Sequence, residues 1–175
     1  MANAIVLLFN KGVSKLKKIV KVIVFTLYEQ TYAVSLQQIL SIERMQTITT
    51  IPRTSENLKG IIHLRDKTIP IIDLKKRLFN ESTEITTDSR ILISNVKDIY
   101  VGFIVDSADE VIDVDTTSIE PPPEVIGNDE DTFLKGVVNV KDEIVVLFDL
   151  KQTLLIDEIN EFQKNEQLYG TARDG

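Results

Sequence analysis

The chain contains no cysteine, which excludes disulfides, thiol nucleophiles and cysteine-ligated zinc or iron sites. It has one histidine, His63. A catalytic triad needs a nucleophile and an orienting acid around such a base, and no "GxSxG" elbow is present, so His63 reads as a polar strand residue. The seven glycines are scattered, and none forms the "GxxxxGK" or "GxGxxG" loop that cradles a phosphate. Positive charge is also short: 20 Lys and Arg stand against 27 Asp and Glu, a net charge of -7. That balance argues against nucleic acid, because affinity for phosphate backbones comes mainly from basic side chains releasing counterions. No apolar run approaches the ~18 residues that would suggest a membrane span. The run "AIVLLF" is followed by its lysines, the reverse of a secretory signal.

What is present is strand. "VIVFTL" and "YAVSL" flank the polar "YEQT" and read as a hairpin. "RILISNV" and "YVGFIV" flank "KDI" as another. "QILSIERM" places Ile39 and Ile42 at helical spacing, with Pro52 breaking the loop that follows. "TTSIEPPPEVIGNDEDT" carries three prolines and reads as a long loop. Leu150, Leu154, Leu155, Ile159 and Phe162 fall on one face of a C-terminal helix. Residues 1–20, with Lys11, Lys15, Lys17 and Lys18 around Val13 and Leu16, read as an N-terminal extension, and residues 161–175 as a tail. Asp106, Asp109, Glu110, Asp113 and Asp115 make the densest acidic cluster. It lacks the central glycine of a calcium loop and reads as a solvated strand end.

One segment occurs twice. "LKGIIHLRDKTIPIIDLKKRL" at 58–78 and "LKGVVNVKDEIVVLFDLKQTL" at 134–154 share eight of twenty-one residues. Gly60 and Gly136 begin equivalent strands, and Asp73 and Asp149 end them. Each Asp precedes a helical turn whose free amides it can cap. The repeat implies two similar small β units related by a pseudo-twofold and sharing an apolar seam. Pro70 lacks a backbone donor, so its strand is expected to be an edge or to carry a bulge.

The stretches "VFTLYEQTYAVSL", "LKGIIHLRDKTIPIIDLKKRL", "YVGFIVDSADEVIDV" and "FLKGVVNVKDEIVVLFDL", in one order over about four-fifths of the chain, resemble the CheW family of bacterial chemotaxis coupling proteins. The resemblance implies two SH3-like five-stranded β-barrel subdomains over residues 21–160 and no catalysis or cofactor. It implies a cytoplasmic adaptor recruited to receptor arrays, whose partners are the histidine kinase CheA and the cytoplasmic tips of methyl-accepting chemoreceptors. The family's "NLRG" arginine maps onto Arg65 of "HLRD", with Asp66 where the family has glycine; Ser41 stands where the family often has an acidic residue. Matching sites place Ile39, Ile42, Arg65, Gly102 and Val105 at a receptor-facing groove. The strand pair bearing Ile61, Leu64, Ile69 and Ile71 is assigned to the kinase, on the argument that an open apolar edge docks on a similar edge. The alternatives are a CheA-type regulatory module, another β-barrel scaffold, or a small enzyme using the acidic cluster.

Overall fold

The computed structural model describes residues 18–52, 54, 56–122, 133–154, 158, 160–162 and 164, apart from the side chain of Asp109. Among these residues ten strands form two five-stranded sheets. Sheet A has the order β8-β1-β2-β10-β9, and sheet B the order β3-β6-β7-β5-β4. The strands of sheet A are β1 (Ile19–Leu27), β2 (Gln30–Ser35), β8 (Ser107–Asp115), β9 (Leu134–Val140) and β10 (Glu143–Phe148). Those of sheet B are β3 (Ile39–Arg44), β4 (Leu58–Leu64), β5 (Lys67–Asp73), β6 (Arg90–Val96) and β7 (Ile99–Val105).

The two sheets repeat one plan. Each joins two antiparallel hairpins through one parallel junction: β5 with β7, where Ile71 faces Gly102, and β10 with β2, where Leu147 faces Ala33. The plan is threaded differently. The chain leaves sheet A after β2, builds all of sheet B, and returns to sheet A at β8. The units therefore interlock, and the first hairpin completes the sheet to which the last strands belong.

All four hairpin turns, Tyr28–Glu29, Arg65–Asp66, Lys97–Asp98 and Lys141–Asp142, have positive φ at both central residues. That is the backbone a two-residue type I′ loop requires, because its twist matches that of the strands. Non-glycine residues in this region are held against their own preference.

The repeated glycines have a geometric cause. In sheet B the edge strands are β3 and β4, and Thr49, beyond the end of β3, exchanges two 2.9 Å hydrogen bonds with Ile61 of β4. In sheet A, Glu120, beyond β8, does the same with Val137 of β9. Each sheet thus curls until its two edges meet at one bridge, as small barrels do. A Cβ on Gly60 would lie 2.2 Å from the Thr49 carbonyl oxygen, and one on Gly136 would lie 2.7 Å from that of Glu120.

The repeated aspartates act as helix caps. Asp73 precedes helix α1 (Leu74–Phe79) and accepts from the Lys76 amide at 3.2 Å. Buried to 2% exposure, it also accepts from the amide and hydroxyl of Thr83 at 2.8 and 2.7 Å. Asp149 caps the 3-10 turn Leu150–Thr153 through the Lys151 amide at 3.0 Å.

The shared seam is the largest core: Ile23, Phe25, Tyr32 and Val34 of sheet A pack with Leu92, Val101, Phe103 and Val105 of sheet B. Alternation along each strand sends the other face into a second core within its own sheet. In sheet B that core is six isoleucines, Ile62, Ile69, Ile71, Ile91, Ile93 and Ile104. In sheet A it is Val22, Ala33, Val114, Val138, Val145 and Leu147.

Several expectations are corrected. Residues 39–42 form a strand, not a helical turn: β3 alternates between half-buried and exposed positions, and two isoleucines three apart are too few to establish a helical period. β5 lies between β4 and β7 and is not an edge. Its ladder with β7 runs over Ile71–Asp73, so Pro70 sits just before it, and β4 is irregular opposite Ile71–Ile72. β1 begins at Ile19, and Phe162 is buried in the seam. The expected single helix is broken at its start, since Leu150 lies in a 3-10 turn and Leu154 has φ -99 and ψ 137°; helical backbone is present at 158, 160–162 and 164, and Leu150, Leu154 and Phe162 are in the core. Leu155, Ile159, residues 1–17 and most of the proline-rich loop lie outside the described residues.

Candidate docking surfaces

The first surface is β3. The chain approaches it through the 3-10 turn Leu36–Gln38, capped by the Ser35 hydroxyl, which accepts from the Gln37 amide at 3.3 Å. Gln38 fixes the start of the strand to both sheets. Its amide nitrogen donates to Asp149 at 2.9 Å, its side-chain oxygen accepts from the Leu150 amide at 3.1 Å, and its carbonyl accepts from the Ser94 hydroxyl at 2.6 Å. β3 pairs with β6 on one side, and its other side is a sheet edge. From this anchored edge Leu40 is 57% exposed, Ile42 38% and Leu36 37%, while Ile39 packs against the seam. Apolar side chains grouped on an unpaired edge mark an interaction surface more than isolated ones do.

The second surface is the outer end of β4 and β5. Arg65 and Asp66 form the turn, both exposed, with φ of 49 and 66°. Arg65 has no ion pair or hydrogen bond among the described residues, so its guanidinium keeps all its donors for a partner. Ile61 and Leu64 are half-buried on the edge strand. His63 is exposed with Thr68 as its neighbour at 3.3 Å.

Four of the expected contact residues lie elsewhere. Val105 is fully buried in the seam. Gly102 is inside sheet B, where a Cβ would come within 2.6 Å of Ile71 and 2.7 Å of Ile91, and it makes room for the isoleucine core. Ile69 and Ile71 belong to that core and face away from solvent. Conversely, Leu36 and Leu40, absent from the expected set, are the exposed apolar neighbours of Ile42. Reading 39–42 as helical paired Ile39 with Ile42, whereas the two-residue period of a strand pairs Leu40 with Ile42.

The acidic cluster is dispersed along β8. Asp106 accepts from the Tyr28 amide at 2.9 Å, Asp113 pairs with Lys21 at 2.8 Å, and Asp115 caps its own 3-10 turn through Thr117. Among the described residues no group of three ligands could hold a metal ion. No described helix is long and apolar enough to cross a membrane.

What this arrangement offers is anchored edges and exposed tips on a doubled β scaffold, the equipment of an interaction module. Comparison with known proteins agrees. The CheW-like domain family matches residues 21–158. The chemotaxis protein CheW of Bacillus subtilis is 38% identical over 134 residues, covering 77% of this chain and 86% of that protein. CheW of Rhizobium meliloti is 26% identical, covering 79% and 89%. The crystal structure of the scaffolding protein TtCheW from Thermoanaerobacter tengcongensis superimposes with a TM-score of 0.71 at 34% identity, covering 83% of this chain and 94% of that one. The chain belongs to the CheW-like family, and its class is the chemotaxis coupling adaptor.

Proposed function

We propose that this adaptor works in the cytoplasm by binding alone, joining chemoreceptor tips to the histidine kinase CheA. The observation that carries the reading is the apolar edge of β3, with Leu36, Leu40 and Ile42 exposed on a strand fixed at its start by Gln38. Receptor tips are assigned to this edge. The kinase is assigned to the outer end of sheet B, where Ile61 and Leu64 lead into the exposed turn of Arg65; Arg65, expected with the receptor-facing residues, is reassigned to the kinase because it lies on the β4–β5 turn and not on β3. Interfaces concentrate their energy in a few apolar and arginine anchors, and truncating one costs about 2 kcal/mol or more. At ~1.4 kcal/mol per tenfold, that corresponds to at least a tenfold loss of affinity.

The test is co-sedimentation of the purified protein with a receptor cytoplasmic fragment and, separately, with CheA. Leu40→Asp with Ile42→Asp should weaken receptor binding at least tenfold and spare CheA; Arg65→Ala should weaken CheA binding and leave the melting temperature nearly unchanged. Wild-type protein that binds neither partner sinks the reading, and exchanged losses sink the assignment of the two surfaces.

A further inference from the structure

The hairpin-tip ends of the two sheets are built from equivalent positions, yet one is closed and the other is open. In sheet B, Leu64 and Tyr100 pack onto the isoleucine core, and the Lys67 ammonium lies 4.3 Å from the centre of the Tyr100 ring. A cation over an aromatic face is a favourable lid. The register of the matching hairpins places Val140, Thr31 and Glu143 at these three positions in sheet A. One layer deeper, Ile69 and Ile93 correspond to Val145 and Val24. Aromatic and branched side chains have thus given way to smaller ones, and a cavity of about 280 Å³ stands in their place, with Val24, Val140, Val145 and Ile112 among its walls.

Its charge is also the reverse of the closed end. Glu143 occupies the position of Lys67 and accepts from the Thr31 hydroxyl at 2.9 Å. Glu110 reaches the rim from β8, and the Lys141 ammonium is 3.7 Å from it with both side chains largely exposed. Two carboxylates facing one loosely held ammonium leave the mouth negative; below it the valines share the wall with Thr26 and Ser107, whose hydroxyls bond each other at 2.6 Å.

We infer that this mouth is a socket for a basic side chain of a partner protein, a guanidinium or ammonium on an apolar stem. The stem replaces the lost Leu64 and Tyr100 equivalents against the valines, and the head meets Glu110 and Glu143. Long basic side chains bury their methylenes and keep their charge at a polar rim. The inference is independent of where CheA and receptors dock.

Agmatine, a guanidinium-bearing alkylamine, is a minimal probe. Titrated into full-length protein with ¹³C-labelled methyls, it should shift Val24, Val140, Val145 and Ile112 saturably. A ligand this small should bind with a dissociation constant of ~1–10 mM. Glu110→Gln with Glu143→Gln should weaken binding at least fivefold. The combination Thr31→Tyr, Val140→Leu and Glu143→Lys, which installs the closed end of sheet B, should abolish it. Absence of saturable shifts, or shifts that survive both sets of substitutions, overturns the socket. Agmatine binding below ~10 µM overturns the partner side chain in favour of a free organic cation. If the triple variant does not fold, the paired Gln variant alone decides.

Discussion

Sheets A and B have the same strand positions, the same parallel junction and the same bridge between their edges, but they are filled differently. Sheet B packs six isoleucines around Gly102; sheet A packs valines and one leucine around Ala33. Among the eight residues the two copies keep are two that the backbone needs: a glycine where the edges meet and an aspartate before the helical turn. The interior volume has been redistributed, since a core accepts hydrophobic exchange provided it remains filled. The duplication thus preserves a scaffold and releases the ends of the two units to become different surfaces.

The two sheets should differ most at the glycines. Gly60 has φ 151°, and its Cβ would lie 2.2 Å from a backbone oxygen; the nearest backbone atom to a Cβ on Gly136 is the Glu120 oxygen at 2.7 Å. Gly60→Ala combines a left-handed strain with a backbone clash and should cost about 4 kcal/mol or more. Gly136→Ala should cost about 2 kcal/mol, the price of an overpacked contact that can partly relax. Urea denaturation of the two variants gives the ranking, and equal losses would show that the two bridges are mechanically equivalent.

The aspartates give the next largest contrast. Asp73→Ala removes the cap of α1 and leaves the amide and hydroxyl of buried Thr83 without their acceptor, a loss of about 3 kcal/mol. Asp149 accepts from Lys151 and Gln38 and lies 3.4 Å from the exposed Lys135 ammonium. Asp149→Ala should cost about 1–2 kcal/mol, because its partners lie nearer to water. A larger loss for Asp149→Ala in the same denaturation series would place the tighter cap in sheet A.

How much of this was legible in the sequence follows from where each signal resides. The glycine and aspartate matches at a fixed spacing predicted two equivalent β units, and the hairpins were readable from their polar turns, because those constraints are local. The seam was inferred as a shared face. What could not be read was the threading, in which β1 and β2 complete the sheet of β8, β9 and β10, because pairing between distant strands leaves no local pattern. The site was less legible for the same reason. Gly102 and Val105 match sites expected at a surface but lie on β7 inside sheet B and the seam, while Leu40 was hidden by a wrong period. Only the mapped register shows that Thr31 occupies the position of Tyr100.

The smallest contrast concerns Tyr32, whose equivalent in sheet B is Val101. Its ring stacks on Phe148 with centroids 4.7 Å apart, and it is 9% exposed. Burial raises its phenol above the ordinary value of 10.0, because the phenolate would lose its hydration. Tyr28 is raised too, by its hydrogen bond to Glu81 and the charge of that carboxylate. An acid whose folded pKa is raised keeps its proton in the folded state while the unfolded chain releases it. The resulting stability is fully present below pH 10 and is lost as pH rises through the folded value. Tyr32→Phe keeps the stacked ring and removes the titrating hydroxyl, so its melting temperature should change little at pH 8 and fall less than that of the wild type between pH 9 and 11. Tyr28 contributes equally to both proteins and cancels in the comparison. Parallel loss in the two melts would mean that Tyr32 is solvated, and that the seam of sheet A is wetter at this position than the seam around Val101.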